Sequence, residues 1–155
     1  MRVIFSKGFT LVEMVATLII IALIAVVTGP RFFDVSAFRA SGFFEETLSA
    51  IRFAQKHAVA TGCPVRVQTT ATGFTLFRPA SAAACTTGPY STPLTDPSGN
   101  ATTFTRTAPS SVSLTAADFN FTASGTTTTA TPTITITVGN RQFKLYRETG
   151  FVERL

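Results

Sequence analysis

The chain opens with a long apolar run, which is the first element that the pattern of residues predicts. Residues 9–27 form nineteen consecutive positions in which Glu13 is the one charged side chain. A helix of that length rises about 28 Å, close to the thickness of the hydrocarbon core of a bilayer. Arg2 and Lys7 precede the run and favour a cytoplasmic N-terminus. We therefore expect one membrane crossing, with the rest of the chain exported.

The second pattern is that of an amphipathic helix over residues 29–61. Apolar side chains recur there at spacings of three, four or seven residues, and Gly62 and Pro64 supply the signal that ends the helix. The predicted apolar stripe consists of Phe33, Ala37, Phe44, Leu48, Ile51 and Ala58. Other phenylalanines lie outside the stripe, and some of these are expected to contact neighbouring molecules: Phe32, Phe38, Phe43 and Phe53.

The remainder of the chain has the composition of β-structure. Of the 28 threonines, 24 lie at or beyond Thr61, and β-branched side chains favour strands over helix. A type II′ turn with Gly139 first is expected inside the second of two hairpins. The predicted hairpins join residues 63–70 to 74–78 and residues 133–138 to 141–147. A long loop is expected at 79–100, strands at 102–107, 111–115 and 118–123, and, after a turn, a last short segment at 151–154.

The order of these elements predicts the fold class. A helix followed by strands, without alternation of strands and helices, indicates an α+β fold. We expect residues 62–155 to form a β-rich globular head, in which an antiparallel sheet packs on the amphipathic helix.

Composition narrows the chemistry that the chain can perform. The net charge is +5, and without Arg2 and Lys7, which precede the apolar run, it would be +3, which is too weak to indicate nucleic-acid binding. One histidine and two cysteines leave too few ligands for a zinc site and too few partners for a catalytic nucleophile. We predict no catalytic residue, no metal site and no cofactor, and a solvated position at the helix end for His57.

A short string at the start of the apolar run is more informative than composition. It reads KGFTLVE, from Lys7 to Glu13. The string resembles the class III signal of the type IV pilin and pseudopilin family. The resemblance implies a leader of residues 1–8, which a prepilin peptidase removes by cleavage between Gly8 and Phe9 before it methylates the amino group of Phe9.

The same resemblance extends to the helix and to the fold. It implies a transmembrane and assembly helix over residues 9–28, a helix kink at Pro30, and the long helix and β-sheet head of a pilin-like roll. Pro30 stands just past the apolar run, where the family frequently has a kink.

Glu13 needs a partner, because a carboxylate one turn into a membrane helix costs about 2.5–3.5 kcal/mol on insertion scales. No Lys, Arg or His lies between Gly8 and Arg31, so the available cation is the α-amino group of Phe9, its own or a neighbouring subunit's. Between subunits, this pairing would set their register in a filament. The alternative is a signal anchor whose Glu13 reaches the membrane interface.

The junction between helix and strand narrows the resemblance. Residues 50–67 resemble type II secretion H components and fimbrial T proteins, and PRFFD at residues 30–34 makes the sequence most similar to minor prepilins of the mannose-sensitive haemagglutinin (MSHA) pilus. This implies a structural minor pilin that is not an enzyme. The alternatives are a type II secretion pseudopilin and a DNA-binding competence pilin.

The resemblance also implies partners and a location. The partners are other pilin subunits, bound through the N-terminal helix, the inner membrane, the prepilin peptidase and the pilus assembly platform. The chain would lie in the bacterial inner membrane with its head in the periplasm, and then in a surface pilus or a periplasmic pseudopilus.

Cys63 and Cys85 are the two cysteines of the chain. Beyond a bacterial inner membrane the compartment is oxidising, so we expect a disulfide between them. Closing a loop of about 23 residues would stabilise the head by about 3 kcal/mol in the chain-entropy model. Two free thiols or an intermolecular bridge are the alternatives.

Four basic residues cluster near the C-terminus: Arg141, Lys144, Arg147 and Arg154. They are the candidate contacts if the head binds DNA. Alternation along a regular strand places Arg141 and Lys144 on opposite faces. Basic side chains also protect an edge strand against aggregation, so the sequence leaves both interpretations open.

Overall fold

The computed structural model describes residues 8–28, 35–81, 85–86, 88–99 and 102–155. The chain divides into two compact units, Met1–Val35 and Ser36–Leu155. Two expected features, residues 1–7 of the leader and the helix kink at Pro30, lie outside the described residues.

Helix α1, Leu11–Thr28, belongs to the first unit and covers most of the apolar run. Thr10 caps its N-terminus, because the Thr10 hydroxyl oxygen accepts a hydrogen bond of 3.3 Å from the Glu13 N–H. This N–H belongs to the first turn, where an amide has no partner within the helix. Among the described residues, no helix combines the length and the apolar character needed to cross a bilayer.

Helix α2, Val35–Thr61, is the amphipathic helix that the spacing of apolar residues predicts. It ends before Gly62, whose φ of +68° is the left-handed conformation common just after helices. Four residues of the predicted stripe are buried: Phe44, Leu48, Ile51 and Ala58. Ala37 is exposed, and Phe33 lies outside the described residues.

The strands form two antiparallel sheets instead of the single sheet that was predicted. Sheet 1 has the order β3-β2-β1-β5, with β4 also paired to β2, and sheet 2 has the order β6-β7-β8. The strands are β1 Val65–Thr70, β2 Gly73–Arg78, β3 Thr92–Pro93, β4 Thr105–Thr107, β5 Ala117–Phe121, β6 Thr133–Val138, β7 Arg141–Tyr146 and β8 Val152–Arg154. The α+β class is therefore confirmed, and the correction concerns which strands pair.

Both predicted hairpins are present. In β1 and β2 Val67 lies opposite Leu76, and in β6 and β7 Ile136 lies opposite Phe143. Gly139 has a φ of +62°, as the first position of a type II′ turn requires.

The less regular segments differ more from the prediction. The strand expected at 111–115 is reduced to one isolated bridge, between Leu114 and Val138. The loop expected at 79–100 contains β3, which pairs with the end of β2. A strand of two residues is too short to produce an alternating pattern, so the sequence could not show it.

One face of α2 packs against both sheets, and two adjacent phenylalanines divide the contacts. The ring of Phe43 lies 6.0 Å from that of Phe74 in sheet 1, and the ring of Phe44 lies 6.0 Å from that of Phe143 in sheet 2. Because α2 faces two sheets, its buried arc is wider than the single predicted stripe. Phe43 is only 5% exposed and is a core residue, not a surface contact.

The other phenylalanines outside the stripe have different environments. Phe53 packs at the edge of the core, 5.6 Å from the ring of Phe104. Phe38 is 80% exposed, which leaves it available to a neighbouring molecule. Phe32 lies outside the described residues.

Candidate assembly site

Helix α1 exposes apolar side chains on all of its sides. Leu18, Ile19, Ile20 and Ile21 are four consecutive residues that cover a full turn, and they are 56–64% exposed. Phe9, directly before the helix, is 74% exposed. A helix that is apolar all round normally has lipid or protein packed around it. We therefore treat α1 as the candidate assembly surface.

The cleavage position that the family resemblance implies lies on accessible backbone. Gly8 and Phe9 precede α1, and both are exposed. A Cβ atom at Gly8 would meet no heavy atom of the described chain within 4 Å. A peptidase could therefore approach this peptide bond without displacing any described part of the chain.

Glu13 is the acidic residue of the first turn of α1. A negative side chain at this end of a helix is favoured by the helix dipole. Thr10 and Glu13 also have the spacing of a capping box, a signal that the sequence analysis did not use. Glu13 can therefore stabilise the start of α1 locally, apart from the pairing between subunits that the resemblance implies. An experiment has to separate these two roles.

In the second unit, Arg106 of β4 connects sheet 1 to helix α2. Its Nε donates to the Glu46 carboxylate at 2.5 Å, and its Nη2 donates to the Asp96 carboxylate at 2.6 Å. The Asp96 side chain is only 1% exposed. Hydrogen bonds from Arg106, and then from the Ser98 N–H and hydroxyl, lower the pKa of Asp96 from 3.8 to about 2. Asp96 is therefore ionised at neutral pH.

The neighbouring carboxylate of α2, Glu45, faces sheet 2. Arg154 of β8 lies 2.5 Å and Arg141 of β7 lies 3.7 Å from its carboxylate oxygens. Both guanidinium groups also lie over the ring of Phe44, 5.6 Å away for Arg141 and 5.7 Å for Arg154. Two of the predicted DNA contacts are thus engaged within the protein.

Of the other two predicted DNA contacts, Arg147 has a carboxylate partner and Lys144 lies on the opposite face of the strand from Arg141. Arg147 pairs with Glu148 at 2.8 Å. Arg141 shares its face of β7 with the buried Phe143, because alternate residues of a strand point to the same side. Lys144 therefore lies on the opposite face, as predicted. DNA binding stays a prediction, and these ion pairs weigh against it, since a paired guanidinium must leave its carboxylate to contact a phosphate.

Cys63 and Cys85 form the expected disulfide, with their Cα atoms 4.9 Å apart. Beside it lies a cavity of about 220 Å³, here called the disulfide groove, which His57 and Arg78 also line. The ring of His57 lies 5.7 Å from that of Phe53. Burial, and secondarily the charge of Arg78, lower the pKa of His57. His57 is therefore partly buried, and the expectation of a solvated histidine is wrong.

Gln55 of α2 holds two distant loops in place, a role that no sequence pattern predicts. Its Nε2 donates to the carbonyl oxygens of Gly125 at 3.0 Å and Thr149 at 2.9 Å. Gly150 has a φ of +62°, and a Cβ atom there would collide with the Gly125 carbonyl and the Gln55 amide. The partners of Gln55 are 70 and 94 residues away, so no local pattern could reveal them.

Comparison with known proteins relates the chain to a transport family. The sequence model of the family described as type II transport protein GspH matches residues 44–147. Among solved structures, the minor pseudopilin EpsH from the type 2 secretion system of Vibrio cholerae aligns with a TM-score of 0.48 and 17% identity, over 79% of this chain and 97% of that chain. A search of curated proteins finds no match. The family match lies entirely within the second unit and is independent of α1.

Proposed function

The chain belongs to the family of type II transport proteins GspH, and we propose on this premise that it is a minor pseudopilin, a structural subunit of a type II secretion filament. The match favours the secretion alternative over the MSHA pilus that PRFFD, together with residues 50–67, suggested, because the family that matches is one of type II transport. In this role the protein is a building block of the secretion apparatus, with its head in the periplasm.

The observation that carries the assembly role is the exposure of α1 on every side. Leu and Ile side chains of α1 are more than half exposed, and apolar surface left in water costs about 25 cal/mol for each Å². We propose that lipid of the inner membrane covers α1 before assembly and that the corresponding helices of other subunits cover it in the filament. Apolar burial is then maintained while the subunit moves from the membrane into the filament.

We propose that maturation removes residues 1–8 and methylates the new amino terminus at Phe9. The KGFTLVE string and the accessible backbone at Gly8 support this step. Cleavage would also create a free α-amino group at Phe9, four residues before Glu13. This group would be the cation that Glu13 needs in an apolar environment.

The role of Glu13 is tested by two matched variants expressed in a strain that lacks the native copy. Glu13→Gln removes the charge but keeps the length and hydrogen-bonding capacity of the side chain. Thr10→Ala removes the helix cap but keeps the charge, at a cost of about 1 kcal/mol in helix stability. We expect Glu13→Gln to lower secretion of a type II exoprotein by more than about tenfold, as for loss of a buried ion pair, and Thr10→Ala to leave it near wild type.

The readouts distinguish the separate parts of the proposal. Exoprotein in the culture medium measures filament function, and mass analysis of the purified chain measures cleavage and methylation. Normal secretion by Glu13→Gln would disprove the charge pairing, and equal loss in both variants would assign Glu13 to helix capping alone. A mature chain that retains residues 1–8 would disprove the processing step.

The MSHA-pilus and competence-pilus alternatives are also tested in this strain. Loss of surface pili with intact secretion would show that the subunit serves a pilus. Binding of DNA by the purified protein that weakens steeply with salt would support a competence role.

A further inference from the structure

The carboxylates of the second unit are all engaged within it. Residues 36–155 contain ten Lys and Arg side chains but six Asp and Glu side chains. Among the described residues, each of the six carboxylates has a guanidinium or hydroxyl partner: Glu45, Glu46, Asp96, Asp118, Glu148 and Glu153. The second unit therefore carries positive charge that its own carboxylates do not neutralise.

Three of the five described cations without a carboxylate partner, Arg52, Lys56 and Arg78, lie near the end of α2. The full set within the described part of the chain is Arg39, Arg52, Lys56, Arg78 and Lys144. Arg52 and Lys56 are exposed and one helical turn apart, and Lys56 directly precedes His57. Arg78, the exposed last residue of β2, is close enough to His57 to lower its pKa. This end of the second unit is consequently basic, with no described acidic side chain free to balance it.

The disulfide groove gives this basic region a defined shape. Val65 and Pro79 lie buried at its base, so its accessible apolar surface comes from the half-buried Pro64 and from the disulfide itself, beside the Arg78 guanidinium. The disulfide between Cys63 and Cys85 fixes two sides of the groove to each other. Apolar surface next to a few placed charges is the usual composition of a site that receives a peptide segment.

We propose that the disulfide groove is the docking site for an acidic segment of a different protein. A carboxylate of that segment pairs with the guanidinium of Arg78, which can bind both carboxylate oxygens. Apolar atoms of the segment lie on Pro64 and the disulfide. A second copy of this chain is a poor occupant, because the carboxylates of its second unit are already paired.

This inference concerns a partner of the second unit and does not require α1 to assemble as proposed. It is tested with full-length protein in a neutral detergent at low salt. The probe is a fluorescent eight-residue peptide of alternating Glu and Ala, and the control peptide replaces each Glu by Gln. We expect the acidic peptide to raise fluorescence anisotropy on binding and the Gln peptide to leave it unchanged.

Three variants locate the binding site. Arg78→Gln removes the groove cation, and we expect it to weaken acidic-peptide binding by at least about fivefold, the effect of a charge pair worth about 1 kcal/mol. Lys144→Gln removes the same charge from sheet 2, away from the groove, and we expect wild-type affinity. Arg78→Lys keeps the charge but loses the bidentate geometry, so its affinity should lie between those of wild type and Arg78→Gln.

Several results would overturn the proposal. Equal weakening by Arg78→Gln and Lys144→Gln would show that net charge, and not the groove, attracts the peptide. Equal binding of the Gln peptide would show that acidity is not recognised. Arg78-dependent binding to phosphatidylglycerol vesicles with no binding of the acidic peptide would show a lipid surface as the occupant. A circular dichroism melt of each variant verifies that the fold is intact.

Discussion

The two sheets are attached to the same helix by different kinds of interaction. Sheet 1 is held by Arg106, which bridges Glu46 of α2 to Asp96, a carboxylate that is 1% exposed. Sheet 2 is held through Glu45 by Arg141 and Arg154, whose side chains are 45% and 53% exposed. Two adjacent glutamates therefore make ion pairs in very different environments.

The difference shows that the number of ion pairs is a poor measure of their effect. An exposed pair contributes about 0–1 kcal/mol, because water and salt screen it and its side chains lose conformational freedom. A buried carboxylate without its partner is far more destabilising. Sheet 2 must therefore depend mainly on apolar packing around Phe44, whereas sheet 1 depends on packing and on the Arg106 network together.

The largest expected effect follows from removing the apolar attachment of sheet 2. Phe44→Ala deletes a fully buried ring that lies 6.0 Å from Phe143, and we expect a loss of about 3–5 kcal/mol in the free energy of unfolding. Hydrogen exchange should show that amides of β7 lose more protection than those of β1. Phe38→Ala, at a side chain that is 80% exposed, should change stability by less than about 0.5 kcal/mol. Equal loss of protection in both sheets would contradict the unequal attachment.

The second effect follows from breaking the attachment of sheet 1. Arg106→Gln removes the guanidinium from both Glu46 and Asp96, and we expect a loss of about 2 kcal/mol in urea unfolding at neutral pH. The same variant at sheet 2, Arg154→Gln, should cost less because its partner is exposed. A smaller effect for Arg106→Gln than for Arg154→Gln would reverse the comparison.

The Arg106 network also makes the stability of sheet 1 depend on acid. The pKa of Asp96 lies below its value in an unfolded chain, so ionised Asp96 stabilises the fold above pH 3.8, and that contribution is lost as pH falls from 3.8 to about 2. In Arg106→Gln the largest cause of the lowered pKa is gone and the hydrogen bonds from Ser98 remain, so the difference in stability between wild type and variant should shrink within this window. A difference that does not change with pH would contradict the assignment.

The smallest effect is expected at the exposed attachment itself. Glu45→Gln removes a carboxylate that is 47% exposed, and we expect the free energy of unfolding to fall by less than about 1 kcal/mol. Glu46→Gln is the matched variant one residue along the helix. It should cost more, because Arg106 then loses one of the two carboxylates that position it beside Asp96. A thermal melt of both variants decides between these outcomes.

The elements that the sequence predicts well are those with strong local patterns. Helix α2 has a clear apolar period and a glycine at its end, and the hairpin at Gly139 has alternating threonines on one side of a recognisable turn. Burial agrees with the predicted apolar stripe of α2, since Phe44 and Leu48 of that stripe are buried.

The arrangement of strands and ion pairs depends on contacts between distant residues, which a local pattern cannot contain. Periodicity shows which side chains of a strand face the core, but not that β4 pairs with β2 or that β6 to β8 form a separate sheet. Glu46 and Arg106 are 60 residues apart, and Glu45 and Arg154 are 109 apart. The basic residues near the C-terminus could therefore be read as free when two of them already had a partner in α2.

The amide of Gln55 holds two loops of the second unit together with a single nitrogen. Its two N–H bonds reach carbonyl oxygens at Gly125, after sheet 1, and at Thr149, inside sheet 2. Glutamate has almost the same shape but would set a negative charge against both oxygens, and asparagine is one methylene too short to reach them. Because both acceptors are backbone carbonyls, these bonds do not depend on the side chains of Gly125 or Thr149, whereas position 55 has one chemical solution, a neutral donor of this reach.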